Sequence, residues 1–208
     1  MRTPFMKYAL AGALALSLAA GGAVVAQAAL TKNPAEVTAV NYDLESSHGK
    51  ITWSVNHFGL STYTGQFVNV KAQLKLDPAN PSASTLTATI PLADVAPNDD
   101  RLKAHLQTAD FFDTAAHPTA TFVSRSVTVD PSDANAATVV GDLTLKGVTK
   151  PVTIKVQFNG AGTVMGAYKA GFDGEATIKR SDFGINYALP AVSDEVKLHI
   201  EGEFVVQK

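Results

Sequence analysis

Five histidines, His48, His57, His105, His117 and His199, are the side chains of this sequence best suited to proton transfer or metal binding, because imidazole changes charge near neutral pH and ligates metals readily. No two of them are spaced four apart, and there is no cysteine. A zinc site would therefore have to be assembled by folding alone, and no metal is expected. The lack of Cys also removes disulfides, thiol nucleophiles and a lipid-modified N-terminal Cys. Ser47 and His48 are adjacent, but successive side chains of an extended chain point to opposite faces and cannot work as a couple. No Gly-x-Ser-x-Gly, His-Glu-x-x-His or Gly-rich phosphate loop is present. The expectation is a protein that is not an enzyme and has no covalent cofactor.

The wider composition agrees with a binding module. Of 208 residues 46 % are apolar and 17 % charged, which suits one domain with a substantial core. Arg2 and Lys7 precede an uncharged apolar run from Tyr8 to Val25 that ends in Ala26-Gln27-Ala28. This is the layout of a Sec signal peptide over residues 1–28, cleaved after Ala28, with the functional domain over 29–208 and its ordered part from about Ala35. Export from the cytoplasm follows. Removing Arg2 and Lys7 leaves 15 basic against 19 acidic residues, a net charge near −4. With no basic cluster interleaved with aromatics, nucleic acid is not an expected partner.

The elements that must position any site are strands. Ile51, Trp53 and Val55 alternate with polar residues, as do Val68 to Leu76, Leu86 to Leu92, Val152 to Phe158 and Phe172 to Ile178, the period-two pattern of half-buried strands. Thr119–Val129, Thr138–Lys146 and Val196–Val206 bring the count to about eight. Turns are expected at Asp77-Pro78, Asp130-Pro131, Lys146-Gly147 and Asn159-Gly160. Eight strands with short connections predict an all-β antiparallel barrel or sandwich. One segment differs: Asp99 to Leu106 has acids at its start and Leu102 and Leu106 four apart, a short helix. It lies in a long connection, Pro97 to Pro118, expected to act as a lid with Leu102, Leu106, Phe111 and Phe112 against the barrel.

Along this frame run Ser47-His48, Ile51, Trp53, Val55, His57 and Gly59, then Gly65-x-Phe67, Leu102, His105-Leu106, Asp110-Phe111-Phe112-Asp113, Pro118, Phe122 and Ser124. Gly141-x-Leu143-Thr144-Leu145-x-Gly147-Val148-Thr149-Lys150-Pro151 and Arg180-Ser181-Asp182-Phe183-Gly184-Ile185 complete the set. In these residues the chain resembles the YceI-like family of periplasmic polyisoprenoid-binding proteins. It departs at Ser46-Ser47, where the family often has Pro-Ala. The resemblance implies an extended eight-stranded lipocalin-like barrel holding an isoprenoid lipid, such as a polyprenyl phosphate or the tail of a ubiquinone. It also implies a periplasmic carrier, with transient contact to an inner-membrane protein. The alternative is a quinone-using, stress-related enzyme or redox accessory.

Such a lipid asks for dry apolar wall, so the candidate ligand-binding residues are the inward phase: Trp53, Val55, Phe67, Leu86, Ile90, Phe122, Leu143, Leu145, Ile154, Val156, Phe158, Phe172, Ile178, Phe183 and Ile200. About half of these are expected to be ordinary core at a closed end. Phe67 is out of phase with Val68 to Leu76 and so can face the other way. His57 shares the parity of Trp53 and is expected to point inward, to donate to a headgroup oxygen or to brace a turn, with the brace favoured. Arg180, in phase with Ile178, is expected to be buried and paired with Asp182 or Asp113, with pairing favoured over headgroup binding.

Overall fold

A computed structural model of the chain describes residues 30–207. The leader expected over residues 1–28 lies outside the described residues. The strands are β1 (Asn41–His57), β2 (Ser61–Phe67), β3 (Lys71–Lys75), β4 (Thr85–Pro91), β5 (Val95–Ala96), β6 (Thr119–Asp130), β7 (Asp133–Leu145), β8 (Val148–Val164), β9 (Ala167–Lys179) and β10 (Glu195–Val206). A single α-helix, α1, spans Asp100–Leu106 among the described residues. No described helix is long and apolar enough to cross a membrane.

Neighbouring strands pair antiparallel in the order β10-β9-β8-β7-β6-β4-β3-β1, and β1 pairs back onto β10 to close the ring. β2 continues the line of β3 along β1, and β5 continues that of β4 along β2. Ten segments thus form the eight strands of a closed barrel; on the side of β2 away from β1 only Gln66 and Phe67 are paired, with β5. Directly opposed residues share a face, so the register draws rows of inward side chains. One row runs Trp53, Leu198 and Ala176 across β1, β10 and β9, another Ile154, Val139 and Val127 across β8, β7 and β6, and the two meet in one apolar cluster.

Three local features depart from simple alternation. The register between β1 and β10 slips between Leu44 and Gly49, and this bulge turns Ser46, Ser47 and His48 to solvent. The alternation expected from Val68 to Leu76 is broken at residues 68–70 between β2 and β3, so Phe67 lies opposite Ile51 on the inward phase of β2. The turn expected at Asn159-Gly160 is instead a bulge within β8; the chain continues as strand to Val164 and turns at Met165-Gly166. An Asn-Gly pair kinks a strand as readily as it ends one when both flanks remain paired.

Candidate functional site: the barrel interior

The inner wall is apolar and unevenly packed. Trp53, Ile90, Phe122, Leu145, Ile154, Phe158 and Phe183 are buried. Val55, Phe67, Leu86, Leu143, Val156, Phe172, Ile178 and Ile200 remain half-buried on the same inward phase. In a closed barrel filled to native density, inward side chains would lose nearly all their surface. Two glycines explain how large residues fit. A Cβ on Gly65 would collide with the Trp53 indole, and one on Gly141 with the Phe122 ring. Each ring therefore lies along the neighbouring strand instead of standing across the barrel.

Both ends of this interior are covered. At the far end Tyr42, fully buried, packs with Val37, Phe158, Ala161, Ala170 and Phe204. Its hydroxyl donates to the Thr38 carbonyl at 2.7 Å, and burial, with Tyr168 nearby, pushes its pKa up to about 12. At the near end the connection after β5 folds back as a lid. Asp99 Oδ1 caps α1 by accepting from the Leu102 N–H at 2.8 Å. Leu106 is buried, while Leu102, Phe111 and Phe112 are half-buried against the barrel as expected. The Phe112 ring meets Phe67 at 5.5 Å.

Arg180 ties down the rest of the near end. It is 5 % exposed. Its partners are neither Asp182 nor Asp113 but backbone carbonyls: Nε donates to Ser193 at 2.9 Å, Nη1 to Ile185 at 3.2 Å and Tyr187 at 2.7 Å, and Nη2 to Val192 at 2.8 Å. Burial lowers its pKa, and Asp194 opposes that shift. The loop 184–194 must wrap around the guanidinium to supply these acceptors, a geometry no sequence spacing reveals. With four N–H groups engaged, Arg180 is a structural pin.

Other polar groups fall into two sets. Trp53 Nε1 is buried and has no hydrogen-bond partner, an unusual condition for an inward donor. Outside the barrel, the β1 bulge brings Ser47 Oγ to 3.2 Å and Glu45 Oε2 to 2.7 Å from the same atom, His48 Nδ1. The two neighbours expected on opposite faces do meet, but a Ser–His–acid relay needs its hydroxyl and carboxylate on different ring nitrogens. Glu203 joins Glu45 and His48 in a cluster spaced as metal ligands could be. Lys169 Nζ already donates to Glu45 at 2.5 Å and to Glu203 at 3.2 Å. The hydrogen bond from Lys169 leads the lowering of the Glu45 pKa, and its counterpart from Glu45 the raising of the Lys169 pKa. The adjoining open groove, about 980 Å³, is lined by Lys50, Asp173, Glu201 and Glu203 together with Val68, Val164, Met165 and Phe172, so it is a mixed surface that meets the inward wall at Phe172.

The profile of the YceI-like domain matches residues 42–204, from the buried Tyr42 to the last inward aromatic, Phe204. The chain belongs to the YceI-like family. Protein YceI of Escherichia coli O17:K52:H18 is 40 % identical over 167 residues, 80 % of this chain and 86 % of that protein. A UPF0312 protein of Pseudomonas paraeruginosa is 39 % identical over 166 residues, covering 79 % and 85 %. The crystal structure of Burkholderia cenocepacia BcnA superposes with a TM-score of 0.68 at 28 % identity over 79 % of this chain and 99 % of that one. A polyisoprenoid binding domain from Saccharophagus degradans, implicated in plant cell wall breakdown, shares the fold with a TM-score of 0.60 at 14 % identity over 80 % and 98 %.

Within this YceI-like barrel, the residues singled out from the sequence divide by depth. Ile90, Leu145 and Phe183 pack in the near-end core, and Phe158 in the far-end plug. Phe122, Leu143, Ile154, Val156, Ile178 and Ile200 share one cluster on the middle wall. His57 is corrected: it closes β1, is exposed, and sits edge-on to Phe58 at 4.6 Å instead of pointing into the interior. Inward parity loses its meaning at a strand end, where no neighbouring layer remains to bury the side chain. Ile51 and Leu198 belong to the wall and were not singled out, although each continues an alternation already legible. Leu44 is concealed by the bulge that follows it.

Proposed function

We propose that this protein binds an isoprenoid lipid inside its barrel and carries it outside the cytoplasm, in the periplasm. The observation that carries this reading is the ring of half-buried apolar side chains, Val156, Ile178 and Ile200 among them, between two covered ends. Hydrocarbon filling such a space gains roughly 25 cal/mol per Å² of apolar surface removed from water. Support comes from the likeness in fold to the Saccharophagus degradans domain, described as polyisoprenoid binding. The unpartnered Trp53 N–H suits an uncharged oxygen on the lipid. Arg180, the one buried cation among the described residues, has its donors engaged by carbonyls, which favours a quinone-type headgroup over a phosphate. Solvent extraction of the purified protein followed by mass spectrometry should recover an isoprenoid. Protein that is repeatedly empty and takes up neither a polyprenyl phosphate nor a ubiquinone from micelles would overturn the reading.

A further inference from the structure

In a chain that is 17 % charged, residues 51–70 and 183–193 contain no Asp, Glu, Lys or Arg. The fold lays these two segments side by side at the near end of the barrel. The Phe58 N–H donates to Ala191 O at 2.7 Å, the Ser193 N–H donates to Asn56 O at 3.0 Å, and His57 bridges to Val192. In the middle of the first segment a β-turn between β1 and β2, closed by Leu60 N–H to His57 O at 3.0 Å, has Phe58 at φ 57° and Gly59 at φ 70° as its central residues. Such turns favour Asn or Gly at both central positions. A Phe there carries a conformational cost and holds an aromatic ring at the tip. Phe58 is 57 % exposed, Leu60 87 % and Tyr187 49 %. Tyr187 also contacts the lid, with its ring 5.4 Å from Phe111 and 4.7 Å from His105.

We propose that this uncharged, apolar-tipped cap docks the protein onto a phospholipid bilayer by the end of the barrel that carries the lid. Two features select a bilayer over a protein partner. Entering the interfacial layer is costly for ionised side chains and mild for the Ser, Thr, Asn and Tyr groups of these two segments, and aromatic rings favour that layer. A protruding pair of side chains also offers far less than the ~1,000 Å² that a stable protein interface needs. The inference rests on the isoprenoid reading for its purpose, but its contacts are independent of it.

Flotation with neutral phosphatidylcholine vesicles tests the proposal. The protein should float with the vesicles and continue to do so in 0.5 M NaCl, since the contact is apolar. Phe58→Ser combined with Leu60→Ser should reduce flotation at least tenfold while leaving thermal unfolding and isoprenoid retention unchanged. Leu60→Trp should float as well as wild type and shift its added emission to shorter wavelength on vesicles. The proposal is overturned by wild-type protein that does not float, by loss of flotation in salt, by equal flotation of the double variant, or by a Leu60→Trp emission that vesicles leave unmoved. Concentration-dependent self-association that the double variant abolishes would reassign the cap to a second copy of the chain and overturn it too. Protein that retains isoprenoid without floating fails only the docking proposal; protein that floats but never takes up isoprenoid fails only the lipid-binding one.

Discussion

The far and near ends of the barrel are both covered, but by different means. At the far end the cover is backbone: Thr31 and Ala161 exchange both of their hydrogen bonds, at 2.8 and 3.0 Å, and the chain from there leads to Tyr42, packed at the centre of an aromatic and alanine cluster. At the near end the cover is a separate segment, the helix α1 and the Phe111-Phe112 turn, laid on the barrel through side chains. Backbone pairing must break cooperatively, whereas a lid held by partly exposed apolar contacts can open locally at much lower free energy. If the protein binds lipid as proposed, the difference makes the near end, where the uncharged cap also lies, the route of entry.

Four substitutions break or sharpen this contrast. The largest effect is expected from Arg180→Ala, which leaves four near-end carbonyls without their donor. Urea unfolding should show a loss of about 3–5 kcal/mol, on the order of 1 kcal/mol for each carbonyl left without a donor, and a value under ~1 kcal/mol would mean that the loop 184–194 does not depend on this pin. Next comes Val156→Phe, between the two ends, opposite Gly174 and Ala137. An open interior accepts the ring, so stability should change by less than ~1 kcal/mol while lipid retention falls severalfold. A loss of about 1–3 kcal/mol with wild-type retention is the mark of a solid core at this level.

Tyr42→Phe examines the far end. It should cost about 1 kcal/mol through the lost bond to Thr38 and leave lipid retention unchanged. Because the folded state holds the Tyr42 proton up to about pH 12 against an ordinary value of 10.0, the unfolded state releases it first. The Tyr42 contribution is therefore complete below pH 10 and is lost as pH rises toward 12. Unfolding of the Phe variant across that window should show a shallower alkaline decline than wild type; an equal decline would show that Tyr42 is not the group responsible. His57→Ala is the smallest. With the ring exposed beside Phe58, stability should change by less than ~0.5 kcal/mol, and isoprenoid retention should stay at the wild-type level. A clear loss of retention would return His57 to the binding site.

Much of this arrangement is written in local residue patterns. Alternation in Val152 to Phe158 or Phe172 to Ile178 determines which side chains line the wall, because a strand has only two faces and water selects between them. The acids at Asp99 and Asp100 with Leu102 and Leu106 determine the lid helix and its buried face for the same kind of reason, since capping and amphipathic spacing act within a few residues. What lay beyond the sequence depends on partners distant along the chain. The carbonyls around Arg180, the bulge that joins Ser47 to His48, the kink at Asn159-Gly160 and the exposure of His57 were each decided by how strands meet. The charge-free stretches at 51–70 and 183–193 are visible in the sequence, but only closure of the barrel places them together at one end. Local preferences choose faces and caps over a few ångströms of chain; a site made by ring closure exists only once loop entropy has been overcome and every strand has found its neighbour.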